Sequence, residues 1–474
     1  MISLSYLALV ALASAASCPK IPKASTLKME FLISKANSRA SSMEGAAVEL
    51  VKKDDMQELA LINHFTFYST TLRVGPQGAE IDVLIDTGSS DLWVMSSEIQ
   101  CLTTPDSQSS CAQVDSFATA DSDSFKVNST APEFHISYLS NTYAKGYWGH
   151  DYVAFGEIRI PDCSFAVVNE TTSRHSVFGI GLAQSESTYS GINRRSTPYT
   201  YENFPLRLKS TGLINKVLYS LYLNASDALT GSILFGAVDH ARYTGQLHTV
   251  PLVNINAQYF AKPIRFDIIL DSITLESTSH NVSVFLSQVL ALLDSGASLT
   301  YLPGAILDGF ASLLGAYMNS SEAYTINCEK ASDRIFTVFY FSGARIKVPL
   351  SDLIFRLGSS CYLGILELPS DQLSGASYAI LGDNFLRSAY VVYDLEEYEI
   401  SLAQAFHGSE ENIEVVTSSI PLATRNGGPL SRSLANMSSS SQLTPTGQKQ
   451  FTGTISFATS VLLAVFGVCV LLAF

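Results

Sequence analysis

Two short segments of this chain repeat one another, and each presents one aspartate. Val83–Val94 reads VLIDTGSSDLWV and Leu290–Leu302 reads LALLDSGASLTYL. Each is an apolar run, then Asp-Thr/Ser-Gly, then a small residue and a Ser, then apolar residues again. The copies lie about two hundred residues apart, roughly one large domain each. One Asp-[Ser/Thr]-Gly says little, but two with matched flanks, one per half, point to a duplicated lobe. Duplication of this kind brings two carboxylates, Asp86 and Asp294, together at a pseudo-two-fold axis.

At 474 residues the chain is too long for one core, and two lobes of ordinary size fit. Apolar residues make up 47% and charged residues 15%, enough to build large sheets with buried faces. Val, Ile and Thr recur in short alternating stretches and helical periodicity is scarce, which predicts an all-β body. From Phe65 the pattern is strand-like: FTFYSTTLRV, a turn at Gly75-Pro76-Gln77-Gly78, then AEIDVLI running into Asp86. This hairpin delivers an apolar strand whose end carries the first Asp-Thr-Gly turn. Gly88 and Gly296 are expected to let the chain turn sharply after each aspartate. The hydroxyls of Thr87 and Ser295 can brace the two turns against each other across the axis.

The formal net charge of −14 is unevenly spread. Residues 18–53 carry seven basic side chains against three acidic ones, so the remainder is strongly acidic. No basic stripe exists for nucleic acid. An acidic body suits cationic partners. Residues 18–53 end in Val51-Lys52-Lys53-Asp54-Asp55, and the paired lysines read as the end of a removable propeptide that holds a cation against an acidic cleft.

Two apolar segments mark the ends. Leu4–Ala16 closes in Ala13-Ser14-Ala15-Ala16-Ser17, as a secretory signal peptide does, although its start lacks Lys and Arg. Ile455–Phe474 is apolar with no basic residues after it; a polar spacer, Gln442–Thr454, and a small-residue tract, Asn436–Ser441, precede it. That order reads as a GPI-attachment signal, with a retained tail helix as the alternative. Sequons at Asn128, Asn169, Asn224, Asn281, Asn319 and Asn436 agree with the secretory pathway. Two disulfides are expected in that compartment, Cys101–Cys111 around a small polar loop and Cys328–Cys361 in the second half, with Cys163 left over. No cysteine spacing resembles a zinc site, and no metal or cofactor is expected.

With these residues in hand, the chain resembles the pepsin-like aspartic peptidases over about Phe65 to Phe406. Beyond the two triads, Leu92-Trp93-Val94 follows the first as in that family. Ile136-Ser137-Tyr138 followed by Gly146–Asp151 resembles the flap hairpin that closes over substrate, with Tyr138-Leu139-Ser140-Asn141 in place of the usual Tyr-Gly-x-Gly. Phe178–Ala183 and Ala379–Asp383 resemble the hydrophobic-Gly segments that cross behind each catalytic loop. Ser232–Asp239 resembles the strand leaving the first lobe. The tail signal, Tyr201–Leu206 and Gly212–Lys216 are most similar to the yapsins, the fungal GPI-anchored members.

The resemblance implies a bilobal pepsin-like fold with pseudo-two-fold symmetry. It implies a monomeric aspartic endopeptidase on the extracellular face of the plasma membrane or in the cell wall, cutting protein or peptide substrates at Lys or Arg. Asp86 and Asp294 become the catalytic pair, supported by Thr87, Gly88, Ser89, Ser295 and Gly296. Tyr138 becomes the flap-tip ring, its hydroxyl within reach of the Trp93 indole. Ala297 stands where Ser89 stands in the first motif, and its missing hydroxyl predicts a milder pH optimum than that of a gastric pepsin. The organisation follows as signal peptide 1–17, propeptide 18–53, lobes 54–245 and 246–407, disordered Ser-rich linker with the attachment tract 408–441, and removed tail 442–474. A broad-specificity secreted enzyme and a non-catalytic binding protein on the same fold are the alternatives. No Gly-x-Ser-x-Gly and no His-Glu-x-x-His supports another peptidase class.

Overall fold

The computed structural model describes residues 26–30, 58–59, 61–63, 67–101, 115–138, 142–189, 199–228, 231–318, 323–357, 359–368 and 378–425. Tyr68–Val74 and Ala79–Asp86 form an antiparallel hairpin. Gly75 and Gly78 close its turn at φ +78° and +72°, a region that glycine enters without a Cβ clash. Ala79–Asp86 alternates at its start and is buried on both faces by its end. There it pairs in parallel with Ser176–Gly179, which runs antiparallel to Leu92–Cys101.

The second half repeats this wiring. Val289–Leu293 is buried throughout, as its unbroken apolar run requires, and pairs in parallel with Tyr378–Leu381. That strand is in turn antiparallel to Thr300–Leu302. The two sequence repeats are thus two copies of one local topology, in a nine-stranded and a five-stranded sheet. The fold is all-β and bilobal, with few and short helices.

An eight-stranded sheet joins the lobes. Leu218–Tyr222 and Ser232–Phe235 from the first half pair onward through Ala389–Asp394 and Glu399–Ala405 from the second. Aromatic rings carry one core across this seam: Phe178 packs on Phe204, Phe204 on Phe235, Phe235 on Tyr219, and Tyr219 stacks at 5.0 Å on Tyr393. The expected lobe boundary at 245/246 falls inside the strand Tyr243–Pro251, which belongs to this joining sheet.

One expectation is corrected. Residues 408–425 are folded, where a disordered linker was expected. Ile413–Val415 pairs with Ala237–Asp239, and Ala423–Arg425 pairs with Tyr243–Pro251. Val416 and Ile420 enter a small core with Tyr222, Val238 and Tyr390, so their apolar burial outweighs the polar composition around them. The basic segment 18–53 is described only over residues 26–30. Its described part is the strand Leu27–Glu30 on the edge of Ser232–Phe235. Lys28 there pairs with Glu411, just before the strand Ile413–Val415.

Cys328 and Cys361 form a disulfide that closes 33 residues of the second lobe. Replacing both with Ser is expected to lower stability by about 3 kcal/mol, because the unfolded chain regains loop entropy. Denaturant melts of the two proteins check this. Cys101 ends the strand Leu92–Cys101, and its expected partner Cys111 lies outside the described residues. Cys163 is free and buried, and burial pushes its thiol up to about 12, which makes it inert.

Candidate active site

The two Asp-containing turns meet by a reciprocal set of hydrogen bonds. Thr87 N–H donates to Ser295 Oγ at 3.1 Å, and Ser295 N–H donates to Thr87 Oγ1 at 3.0 Å. Each hydroxyl then donates across the axis, Thr87 Oγ1 to the Leu293 carbonyl at 3.0 Å and Ser295 Oγ to the Ile85 carbonyl at 3.1 Å. All four bonds are buried, where a satisfied network is rigid. They hold the backbone just before and just after each aspartate, fixing Asp86 relative to Asp294.

Asp86 and Asp294 are both fully buried. Gly88 N–H donates to Asp86 Oδ1 at 2.7 Å, and Gly296 N–H donates to Asp294 Oδ1 at 2.8 Å. Neither glycine adopts a left-handed φ, so the role the structure gives them is this amide, in place of the expected freedom to turn. Ser89 Oγ donates to the second oxygen of Asp86. The matching residue, Ala297, offers nothing, and Asp294 Oδ2 meets no N–H or O–H donor. The Asp86 carboxyl is the charged neighbour that acts most strongly on Asp294.

Burial raises both acids. Asp86 rises to about 7 despite the Ser89 and Gly88 donors. Asp294 is held well above the ordinary carboxylate range by burial first and the Asp86 charge second. Two carboxyls so placed cannot both ionise at mildly acidic pH, and the proton settles on the Asp294 side. Ala297→Thr, or the smaller Ala297→Ser, adds a donor that favours the Asp294 anion. The upper apparent pKa falls, and the alkaline limb of kcat/KM moves about one unit toward acid. A pH–rate profile of the variant checks this; an unmoved limb contradicts it.

Trp93 and Tyr138 are brought together over the first loop. Trp93 Nε1 donates to the Tyr138 hydroxyl at 2.6 Å, and both side chains are buried. Phe134–Ser137 pairs with Tyr143–Phe155 as a hairpin, and Tyr138 N–H closes on the Thr142 carbonyl at 2.8 Å. Residues 139–141 lie outside the described residues.

The crossing segments explain two glycines. A Cβ on Gly179 would lie 2.6 Å from Asp91 N, and one on Gly382 would lie 2.3 Å from the Ala297 and Leu299 carbonyls. The sequence reading passed over a third acid here. Asp383 is fully buried with no donor on either oxygen, and its field adds to the upward push on Asp294. The signal was its place directly after Gly382. Of the sequons, Asn169 and Asn281 are exposed, Asn128 and Asn224 are half-buried, and Asn319 and Asn436 are outside the described residues.

Paired buried carboxyls on braced turns, one from each half of a duplicated β-framework, are the arrangement of an aspartic-type peptidase. Residues 67–405 match the family described as Eukaryotic aspartyl protease, and this chain belongs to that family as an aspartic-type endopeptidase. Its relatives are of the yapsin and secreted aspartic protease type. Aspartic proteinase yapsin-3 of Saccharomyces cerevisiae is 42% identical over 80% of this chain and 74% of its own. Aspartic proteinase 3 of the same yeast is 38% identical over 80% and 77%. Secreted aspartic protease 9 of Candida albicans is 35% identical over 88% and 90%. The crystal structure of aspartic proteinase from Irpex lacteus matches with a TM-score of 0.58 at 20% identity, covering 72% of this chain and 95% of that one, which shows the shared fold.

Proposed function

We propose that Asp86 and Asp294 hydrolyse peptide bonds with one shared proton, and that the protein does so at the cell surface under a GPI anchor, at Lys or Arg sites in secretory precursors or surface proteins. The observation that carries the chemistry is the braced, unequal pair. Asp86 has two donors and is the better anion; Asp294 has one and keeps the proton. The anion takes a proton from a water held between the acids while the protonated member polarises the peptide carbonyl. The water oxygen bonds to the carbonyl carbon to give a tetrahedral diol. Its C–N bond then breaks as a proton passes to the leaving nitrogen. The protein forms no covalent bond with the substrate. Tyr138, held by Trp93, covers the cleft.

Support for basic-site cleavage comes from the acidic body and from the relative named yapsin-3. Support for the anchor is the order of small tract, polar spacer and apolar tail over residues 436–474. Profiling cleavage of a diverse peptide pool tests the specificity. A requirement for Lys or Arg at the cut is expected, and a broad hydrophobic preference would overturn it. Release of the protein from cell membranes by a phosphatidylinositol-specific phospholipase C tests the anchor; retention after treatment counts against it.

A further inference from the structure

A second pair of buried acids lies beside the first catalytic turn. Asp91, five residues past Asp86, is fully buried. Its Oδ2 accepts the Ser187 N–H at 2.9 Å, and its Oδ1 accepts the Tyr201 hydroxyl. Glu186 is also fully buried. Its Oε2 accepts one long bond, from Tyr201 N–H at 3.4 Å, and its Oε1 has no partner. Among the described residues the titratable groups facing Glu186 are Asp91, Tyr201 and Tyr199, and none is a cation. Among the described residues neither acid has an ion-pair partner.

The same contacts tie three segments together. The Asp91 carbonyl accepts from Gly179 N–H at 3.0 Å, on the segment crossing behind the catalytic turn. The Tyr201 ring lies 4.8 Å from the Trp148 ring. Trp148 packs edge-on against Phe134 at 5.2 Å, in the strand that leads to Tyr138. Tyr201 therefore links the turn of Asp86 to the base of the flap.

We propose that Glu186 is a positioning residue that works only while neutral, allowing Glu186 and Tyr201 to close on Asp91 and hold the catalytic turn and flap base together. Asp91, with two donors, is the better anion of the pair. Glu186, lacking them, keeps its proton. Once Glu186 ionises, two neighbouring buried anions with no cation beside them among the described residues force that contact open. Burial, then the Asp91 charge, raises Glu186 from 4.5 to about 9. The folded chain thus holds a proton that the unfolded chain releases. The contact is fully stable below the ordinary glutamate range and weakens as pH rises toward about 9. This inference concerns how the site is held and needs no particular cleavage specificity.

Glu186→Gln tests it, because the amide is neutral at every pH and can donate to Asp91. Tryptophan fluorescence is read on the full chain carrying Asp86→Asn, with and without Glu186→Gln, between about pH 4 and about pH 10. The parent is expected to lose the signal of the Trp148–Tyr201 contact as pH rises, and Glu186→Gln to move that midpoint up by about one unit or more. An unchanged midpoint overturns the proposal. So does failure of Glu186→Gln to fold at acid pH, where Glu186 is already neutral. In the active enzyme the same substitution is expected to extend the alkaline limb of kcat/KM relative to its own acid-side rate; a uniform fall at all pH values would instead mark Glu186 as packing alone. The fluorescence arm needs no catalysis, so its outcome is separate from that of the proposed reaction.

Discussion

Replacing Asp86 with Asn is expected to cut peptide hydrolysis by roughly 10⁴-fold, without unfolding the protein. An amide cannot take a proton from water. The geometry tolerates the exchange: Gly88 N–H still finds a side-chain oxygen, and the Ser89 hydroxyl turns from donor to acceptor. The variant also relieves the crowding of two buried acids, so its Tm is expected to equal or exceed that of the parent. Calorimetry beside a peptide assay separates loss of chemistry from loss of fold. Activity unaffected by the change would remove Asp86 from the reaction. Asp294→Asn should behave alike, since the two acids act as one unit.

Gly382→Ala is the second large effect. The added methyl would meet two backbone carbonyls, Ala297 and Leu299, at 2.3 Å, and backbone cannot swing aside as a flexible side chain could. The loop of Asp294 must move or the crossing strand must part. A cost of about 3 kcal/mol or more is expected. A shift of about 1 Å at Asp294 costs roughly 10²-fold in rate even in molecules that stay folded. Gly212→Ala serves as the control. It sits at φ +76° in open space, so it should lose only about 1 kcal/mol and keep its rate. Equal behaviour of the two variants would mean that the tight crossing is not what places Asp294.

Much of the site could be read from the chain because the duplication wrote it twice. The flanks of Asp86 and Asp294 foretold the strands that deliver them, and Thr87 and Ser295 stand at matching positions within the repeat. What the repeat did not contain was harder to see. Glu186 and Tyr201 lie far from Asp91 in sequence, and no spacing links them; only the folded chain brings their polar atoms together. The folded stretch 408–425 was hidden by its Gly, Ser and Asn content, although Ile413, Val415, Val416 and Ile420 carried an apolar signal. Leu27–Glu30 was read by its charge, whereas its strand pairing decided where it went. Gly88 and Gly296 were read as the residues that let the chain turn sharply, but the structure uses their N–H groups.

The claim on which the account rests is that two acids from two halves of the chain hold a single proton between them. The pH dependence of kcat/KM for a cleavable peptide tests it most directly. The account predicts a bell with two apparent pKa values that belong to the pair, the upper one well above that of an isolated carboxylate. A rate that keeps rising into alkaline solution, with no descending limb, would contradict it.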